Sequence, residues 1–251
     1  MICMLSYMGY KVRSSLKIRG VYGTFFTLPL AKMRQRFERS RGGNASYADF
    51  DGQFGLDTEK IIELYELDLH TKGWQYGTRY QAVRPEHFRQ IMESLKINYE
   101  GFVFFDLGSG KGRALLLASE YPFKRIIGVE LSSQLHEIAL ENIARYQSPA
   151  RKCAQIESVC MNAAAYQLPA EDSVVYLHNP FYEEVMVKVL ENIRRSLQEH
   201  PRKIIIVYHV PVWDGLFTKA DFLKQFAKFE LPRKDGCPAT INEKGSVYMN
   251  S

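Results

Sequence analysis

From residue 102 to residue 210, short apolar runs alternate with amphipathic stretches of helical spacing. No other feature of the chain narrows its fold so much. The runs 102–107, 125–131, 154–160, 173–178 and 203–210 are short and rich in branched or aromatic residues, as strands buried on both faces are. Between them, 111–121, 132–146 and 183–197 carry apolar residues at helical period: Leu115 and Ala118, then Leu135, Ile138 and Ala139, then Val185, Val189 and Ile193. Ser132 or Ser133 offers a cap for the second of these helices. Upstream, Pro85 and Glu86 suit a helix start, with Phe88, Ile91, Met92 and Leu95 on its inner side. Two weaker strand patterns, 226–231 and 246–250, close the chain. Such alternation gives an α/β layer fold with a parallel sheet, in which ligands collect at the carboxyl ends of the strands. That rule selects the segments 106–112 and 179–182 with Glu130, Asn162 and His209.

Composition is consistent with a folded domain. Hydrophobic residues make up 46% of the 251 and charged residues 24%, which excludes a disordered or collagen-like chain. Cys3, Cys153, Cys160 and Cys237 are widely spaced, so a disulfide framework or zinc ribbon is not expected and a reducing, cytoplasmic setting is. No spacing of His, Cys, Asp or Glu suggests metal ligands, and the expected metal is none. The longest apolar run, 21–31, is about half of what a membrane-spanning helix needs. It follows basic residues, as in a secretory signal, but more basic residues come after it in place of a cleavage site.

Charge divides the chain into parts. Residues 1–45 hold nine Lys and Arg against one acid, Glu38, while the remainder is mildly acidic. A basic arm at 1–45 suits an anionic surface, lipid or nucleic acid, met through residues 11–41, as at a membrane periphery; a solvated helix on the body is the alternative. Gly42-Gly43-Asn44 marks a break. An irregular aromatic stretch, 46–84, containing Trp74, Tyr76 and Tyr80, reads as a cap or lid segment, and 85–251 as the main domain.

The first strand runs into Asp106-Leu107-Gly108-Ser109-Gly110-Lys111-Gly112. Glycines there allow a tight turn and close approach of a ligand. The dinucleotide fingerprint requires glycine where Arg113 stands, and the phosphate-loop pattern also fails. The loop instead resembles the first motif of class I S-adenosylmethionine-dependent methyltransferases. Gly128-Val129-Glu130-Leu131 is similar to that family's second signature. The resemblance implies S-adenosylmethionine as cofactor and a Rossmann-like sheet of order 3-2-1-4-5-7-6 with helices on both faces and an N-terminal cap. It further implies a cofactor site built from Tyr80, Asp106, Gly108, Ser109, Gly110, Gly112, Glu130, Leu131, Asn162, Ala163 and Asn179. Within it, loop N–H groups take the cofactor's carboxylate, Asp106 or a carbonyl faces its ammonium, Glu130 holds the ribose diol, and Asn162 or Ala163 meets the adenine.

On the acceptor side, Asn179-Pro180-Phe181-Tyr182 is similar to the N-P-P-[YF] motif of amino-directed methyltransferases, with Phe181 in place of the second proline. Over residues 80–200 the pattern also resembles the non-SET lysine methyltransferases of the telomeric-silencing-disruptor type. The catalytic set expected from these likenesses is Asn179, Phe181 and Tyr182. His209, at the end of the fifth strand run, is a further candidate as general base. His178, one residue before Asn179, is expected to face away from it. The resulting expectation is methyl transfer to a nitrogen on a protein lysine or other amine. Transfer to an oxygen of a small molecule or glycan with His209 as base, and a non-catalytic cofactor-binding subunit, stand as alternatives.

Overall fold

A computed structural model of the chain describes residues 49–67, 77–232 and 243–250. The basic arm, the apolar run 21–31, Trp74, Tyr76, Cys3 and Cys237 lie outside the described residues.

Seven strands form one sheet: β1 (Val103–Leu107), β2 (Arg125–Glu130), β3 (Ile156–Cys160), β4 (Ser173–His178), β5 (Ile204–His209), β6 (Leu223–Leu231) and β7 (Glu243–Asn250). Their order is β3-β2-β1-β4-β5-β7-β6, as the resemblance implied. The first five strands pair in parallel, and β7 lies antiparallel between β5 and β6. β1 and β5 are buried along their whole length, which is why they read as unbroken apolar runs. Of the edge strands, β6 is largely exposed and β3 is partly buried, as strands with one free edge are.

Strand alternation divides the core in two. Phe104, Tyr176 and Val207 face α1 (Asp49–Phe54), α2 (Pro85–Leu95) and α3 (Arg113–Ala118). Phe105, Val175 and Ile206 face α5 (Glu183–Glu199) and α6 (Asp214–Thr218). α5 buries Met186, Val189, Leu190 and Ile193 against that side, each worth roughly 1.5–3 kcal/mol of transfer free energy. On the other side Phe88 of α2 meets Phe104 and Tyr176 edge-on, at ring separations of 5.9 and 5.3 Å. α4 (Ser133–Arg145) is capped by Ser132, whose hydroxyl accepts from the Leu135 amide.

Three elements differ from expectation. α3 is six residues long, not eleven, because Gly112 at φ +84° delays its start and the chain after Ala118 tightens into i→i−3 turns. Lys111 therefore belongs to the loop. β6 and β7 are longer than their sequence patterns, because their pairing with each other extends beyond the buried centre of β7. Phe229 of β6 lies over Gly245 of β7, where any side chain would overlap the ring. α1 and α6 carry too few periodic residues to be read from sequence at all.

Candidate active site

A solvent-open cleft lies at the carboxyl ends of β1, β2 and β4. The β1–α3 loop forms its floor. Gly108, Gly110 and Gly112 all have positive φ, +88°, +54° and +84°. Each also has close neighbours: a side chain at 108 would overlap Pro180, one at 110 the Tyr80 ring, and one at 112 would press on Ala139. At Gly128, on the neighbouring strand, a Cβ would stand 2.7 Å from Ser109 Oγ and 2.6 Å from Leu115. The loop is thus a thin layer between strand, lid and acceptor-side turn.

Loop amides are consumed inside this layer. Gly108 and Ser109 donate to the Val129 carbonyl at 2.8 and 3.2 Å, Gly112 donates to Ser109 at 2.9 Å, and Gly110 donates to Glu130 Oε2 at 2.8 Å. The amides of 108, 109, 110 and 112, expected to hold a cofactor carboxylate, thus have partners within the protein. Two cations border the cleft: Arg113, which is paired with Asp51, and Arg79, an exposed side chain whose guanidinium lies 3.7 Å from Glu63.

Glu130 ends β2 with both carboxylate oxygens fixed: Oε2 by Gly110 and Oε1 by the Ser132 amide at 2.8 Å. Burial nonetheless raises its pKa, partly offset by those amide bonds. Asp106 lies on the adjacent strand β1, on the same floor. Burial first, then the Glu130 charge, pushes its pKa up to about 8. Ser109 Oγ is buried at the floor without a hydrogen-bond partner among the described residues. Leu131, Asn162 and Ala163 form the side of the cleft beyond Glu130. Asn162 Oδ1 accepts from the Ala164 amide, fixing that turn.

The described parts of the segment 46–84 lie across the loop. Tyr80 exchanges backbone hydrogen bonds with Ile62, and its hydroxyl donates to the Thr58 carbonyl at 2.6 Å. Two cations, Lys111 at the end of the loop and Arg113 at the start of α3, hold this segment down. Lys111, only 1% exposed, donates to Asp57 at 2.6 Å, and Arg113 pairs with Asp51 at 2.9 Å and donates to Thr58. Sequence reasoning missed both roles; a buried lysine needs a carboxylate, but nothing in the chain order marks Asp57 as that partner.

On the acceptor side Pro180 and Phe181 border the cleft, while Asn179, Tyr182 and Gly112 do not. Asn179 takes a left-handed conformation at φ +46°, and its carbonyl accepts from Thr78 Oγ1 at 2.8 Å. The Thr78 amide donates to Pro180, and Trp213 Nε1 donates to the Phe181 carbonyl. His209 does not reach the cleft: it is fully buried, and burial lowers its pKa. Instead His178 borders the cleft, with its ring stacked on His209 at 4.6 Å, and Tyr176 borders it beside Asp106. His178 and Asn179 differ in this respect, since His178 borders the cleft and Asn179, at positive φ, does not.

Cofactor fit can be judged from this geometry. A buried carboxylate at the second strand's end, an unpartnered Ser109 hydroxyl and a glycine floor with no room for side chains match a ligand carrying a diol and a narrow chain. Residues 105–203 match a family model described as a methyltransferase domain. No curated protein sequence matches the chain. Solved structures similar to it include the precorrin-6y C5,15-methyltransferase of Geobacter metallireducens, 16% identical over 68% of this chain and 90% of that one, TM-score 0.49. The magnesium protoporphyrin IX methyltransferase of Synechocystis with bound S-adenosylmethionine is 11% identical over 66% and 79%, TM-score 0.47. An RNA methyltransferase of Salinibacter ruber in complex with S-adenosylhomocysteine is 20% identical over 67% and 91%, TM-score 0.42. With the strand order, the glycine loop and the matched stretch 105–203 in agreement, the protein carries a class I, S-adenosylmethionine-dependent methyltransferase domain.

Proposed function

We propose that the protein methylates a nitrogen, on an amine such as a protein lysine. One observation carries this reading: the Asn179–Tyr182 turn rests on the glycine loop, with Pro180 filling the space a side chain at 108 would take. A turn similar to an amine-holding motif thus touches the floor on which the cofactor would lie. A second support is electrostatic. The carboxyls of Asp106 and Glu130 and the rings of Tyr80, Tyr176 and Phe181 line the cleft, a setting that favours cationic ligands.

S-adenosylmethionine supplies a methyl group already activated on its sulfonium. The chain's own residues bind and orient. Glu130 holds hydroxyls, Asp106 faces an ammonium, Asn162 and Ala163 bound the adenine end, and Arg79 takes a carboxylate in place of the committed loop amides. Tyr80 covers the loop and excludes water, so that alignment of the two reactants does most of the work. Phe181 and Pro180 shape the acceptor's entry.

A hydroxyl acceptor is the second reading, and His178 at the cleft is what favours it, in place of the buried His209. Assaying Asn179→Ala and His178→Asn on one identified substrate separates the two. Amine transfer predicts a turnover loss for Asn179→Ala, because the left-handed turn at Asn179 seats Pro180 and Phe181 at the cleft. Hydroxyl transfer predicts a loss of about 10²–10⁴-fold for His178→Asn, the usual effect of removing a general base. A large His178→Asn loss with Asn179→Ala unchanged would sink the amine reading. The anionic-surface role of residues 11–41 stays a separate proposal, tested by salt-dependent binding to anionic vesicles and to nucleic acid.

A further inference from the structure

Behind the cleft wall three side chains from distant parts of the chain converge. His87 comes from α2, His209 from the end of β5 and Glu243 from the start of β7. Both imidazoles are buried, at 2% and 0% exposure, and the Glu243 side chain is 10% exposed. His87 Nδ1 lies 3.0 Å from Glu243 Oε2, and His209 Nε2 lies 3.0 Å from the same oxygen. The three atoms fall within 4.8 Å of one another.

A hydrogen-bonded cluster would account for His87 and Glu243, but it does not account for His209. Its Nε2 is wholly buried and makes no well-formed hydrogen bond among the described residues, although Oε2 is near. At 3.0 Å the contact is close enough for an ion pair, yet its geometry falls short of a regular hydrogen bond. Ligands of a common ion behave in this way, because their lone pairs aim at the ion and not at one another. The other ring nitrogen is satisfied, since His209 Nδ1 lies 2.9 Å from the Tyr176 hydroxyl. A ligating imidazole is ordinarily held through its second nitrogen by such a partner.

We propose that His87, His209 and Glu243 form a binding site for a divalent transition ion, with zinc the ion that two imidazoles and one carboxylate suit best. Zinc takes this donor set at about 2.0–2.1 Å, which separates tetrahedral ligands by about 3.3 Å. Two of the three pairs are already close to that spacing, and the third has at most about 1.5 Å to close. None of the three residues borders the cleft, so the ion is structural and takes no part in methyl transfer. Its effect on the cleft passes through neighbours. Tyr176 is bonded to His209, His178 is stacked on it, and both border the cleft. Arg84 Nε lies 4.0 Å from Oε1, the other oxygen of Glu243.

Metal content of the untagged full-length protein tests this, measured by mass spectrometry after dialysis against a weak chelator. The expected result is about one zinc per chain. Protein stripped of metal and titrated with cobalt(II) should develop the strong visible absorption of a four-coordinate ion. His87→Ala and Glu243→Gln should each lower the retained metal at least tenfold, while Cys160→Ser leaves it unchanged. Folded wild-type protein that retains no metal and gives no cobalt absorption overturns the proposal, whether or not the variants fold. So does retention that is equal in wild type and folded variants.

Discussion

The ring of Tyr80 occupies the space that a side chain at Gly110 would need. Lid and glycine loop are therefore one packed unit, joined further by Lys111 to Asp57 and Arg113 to Asp51. Gly110→Ala should lower cofactor affinity, both by displacing Tyr80 and by straining a residue at φ +54°, a strain of about 1–2 kcal/mol. Adding Tyr80→Ala relieves the overlap and leaves the strain. Calorimetry on the single and double variants should show partial recovery; no recovery would separate the lid from the site.

Glu130→Ala should weaken cofactor binding by about 1.5–3 kcal/mol, the range for hydrogen bonds to a charged group. It also frees the Gly110 and Ser132 amides, so part of the loss will appear as a lower melting temperature. Glu130→Gln retains an acceptor for one of them and should lose less stability. Unchanged affinity in a folded Glu130→Ala protein would remove this residue from the site.

Asp106 gives the site a pH dependence. Its pKa in the folded, ligand-free protein is about 8, against 3.8 for the free side chain. The neutral carboxyl stabilises the fold fully below pH about 4, and that contribution is lost as pH rises through 8. An ammonium placed against Asp106 favours the ionised form, so binding below pH 8 releases a proton. Cofactor affinity should rise between pH 6 and 8, by up to about tenfold per pH unit. Calorimetry in buffers of different ionisation enthalpy reads the released proton, and Asp106→Asn subtracts the cofactor's own amine. An unaltered slope in that variant would place the ammonium elsewhere.

Phe88 is fully buried between α2 and the sheet, in edge contact with Phe104 and Tyr176. Phe88→Ala should destabilise the protein by about 3–5 kcal/mol in denaturant unfolding. A loss below 1 kcal/mol would mean that α2 contributes little to the core.

The sheet was readable because β1, β2, β4 and β5 are buried on both faces and so carry their structure as uninterrupted apolar runs. Asp106, the three loop glycines and Glu130 were readable because a strand end, a turn and the next strand end lie at fixed short intervals. What sequence could not supply was long-range pairing. Asp57 beneath Lys111, and Glu243 between His87 and His209, are brought together by folding across gaps of 54 and 156 residues or fewer. The exposure of His178 and burial of His209 likewise depend on the turn at Asn179 and on β7 covering the end of β5.

Methyl transfer itself is the most direct test of the account. Full-length protein incubated with methyl-labelled S-adenosylmethionine and cell extract, followed by mass spectrometry of proteins and metabolites, identifies the labelled atom. The account predicts label on a nitrogen, with yield strongly reduced for Glu130→Ala. Label on an oxygen would contradict the proposed acceptor. Equal yield from wild type and Glu130→Ala would contradict the site itself.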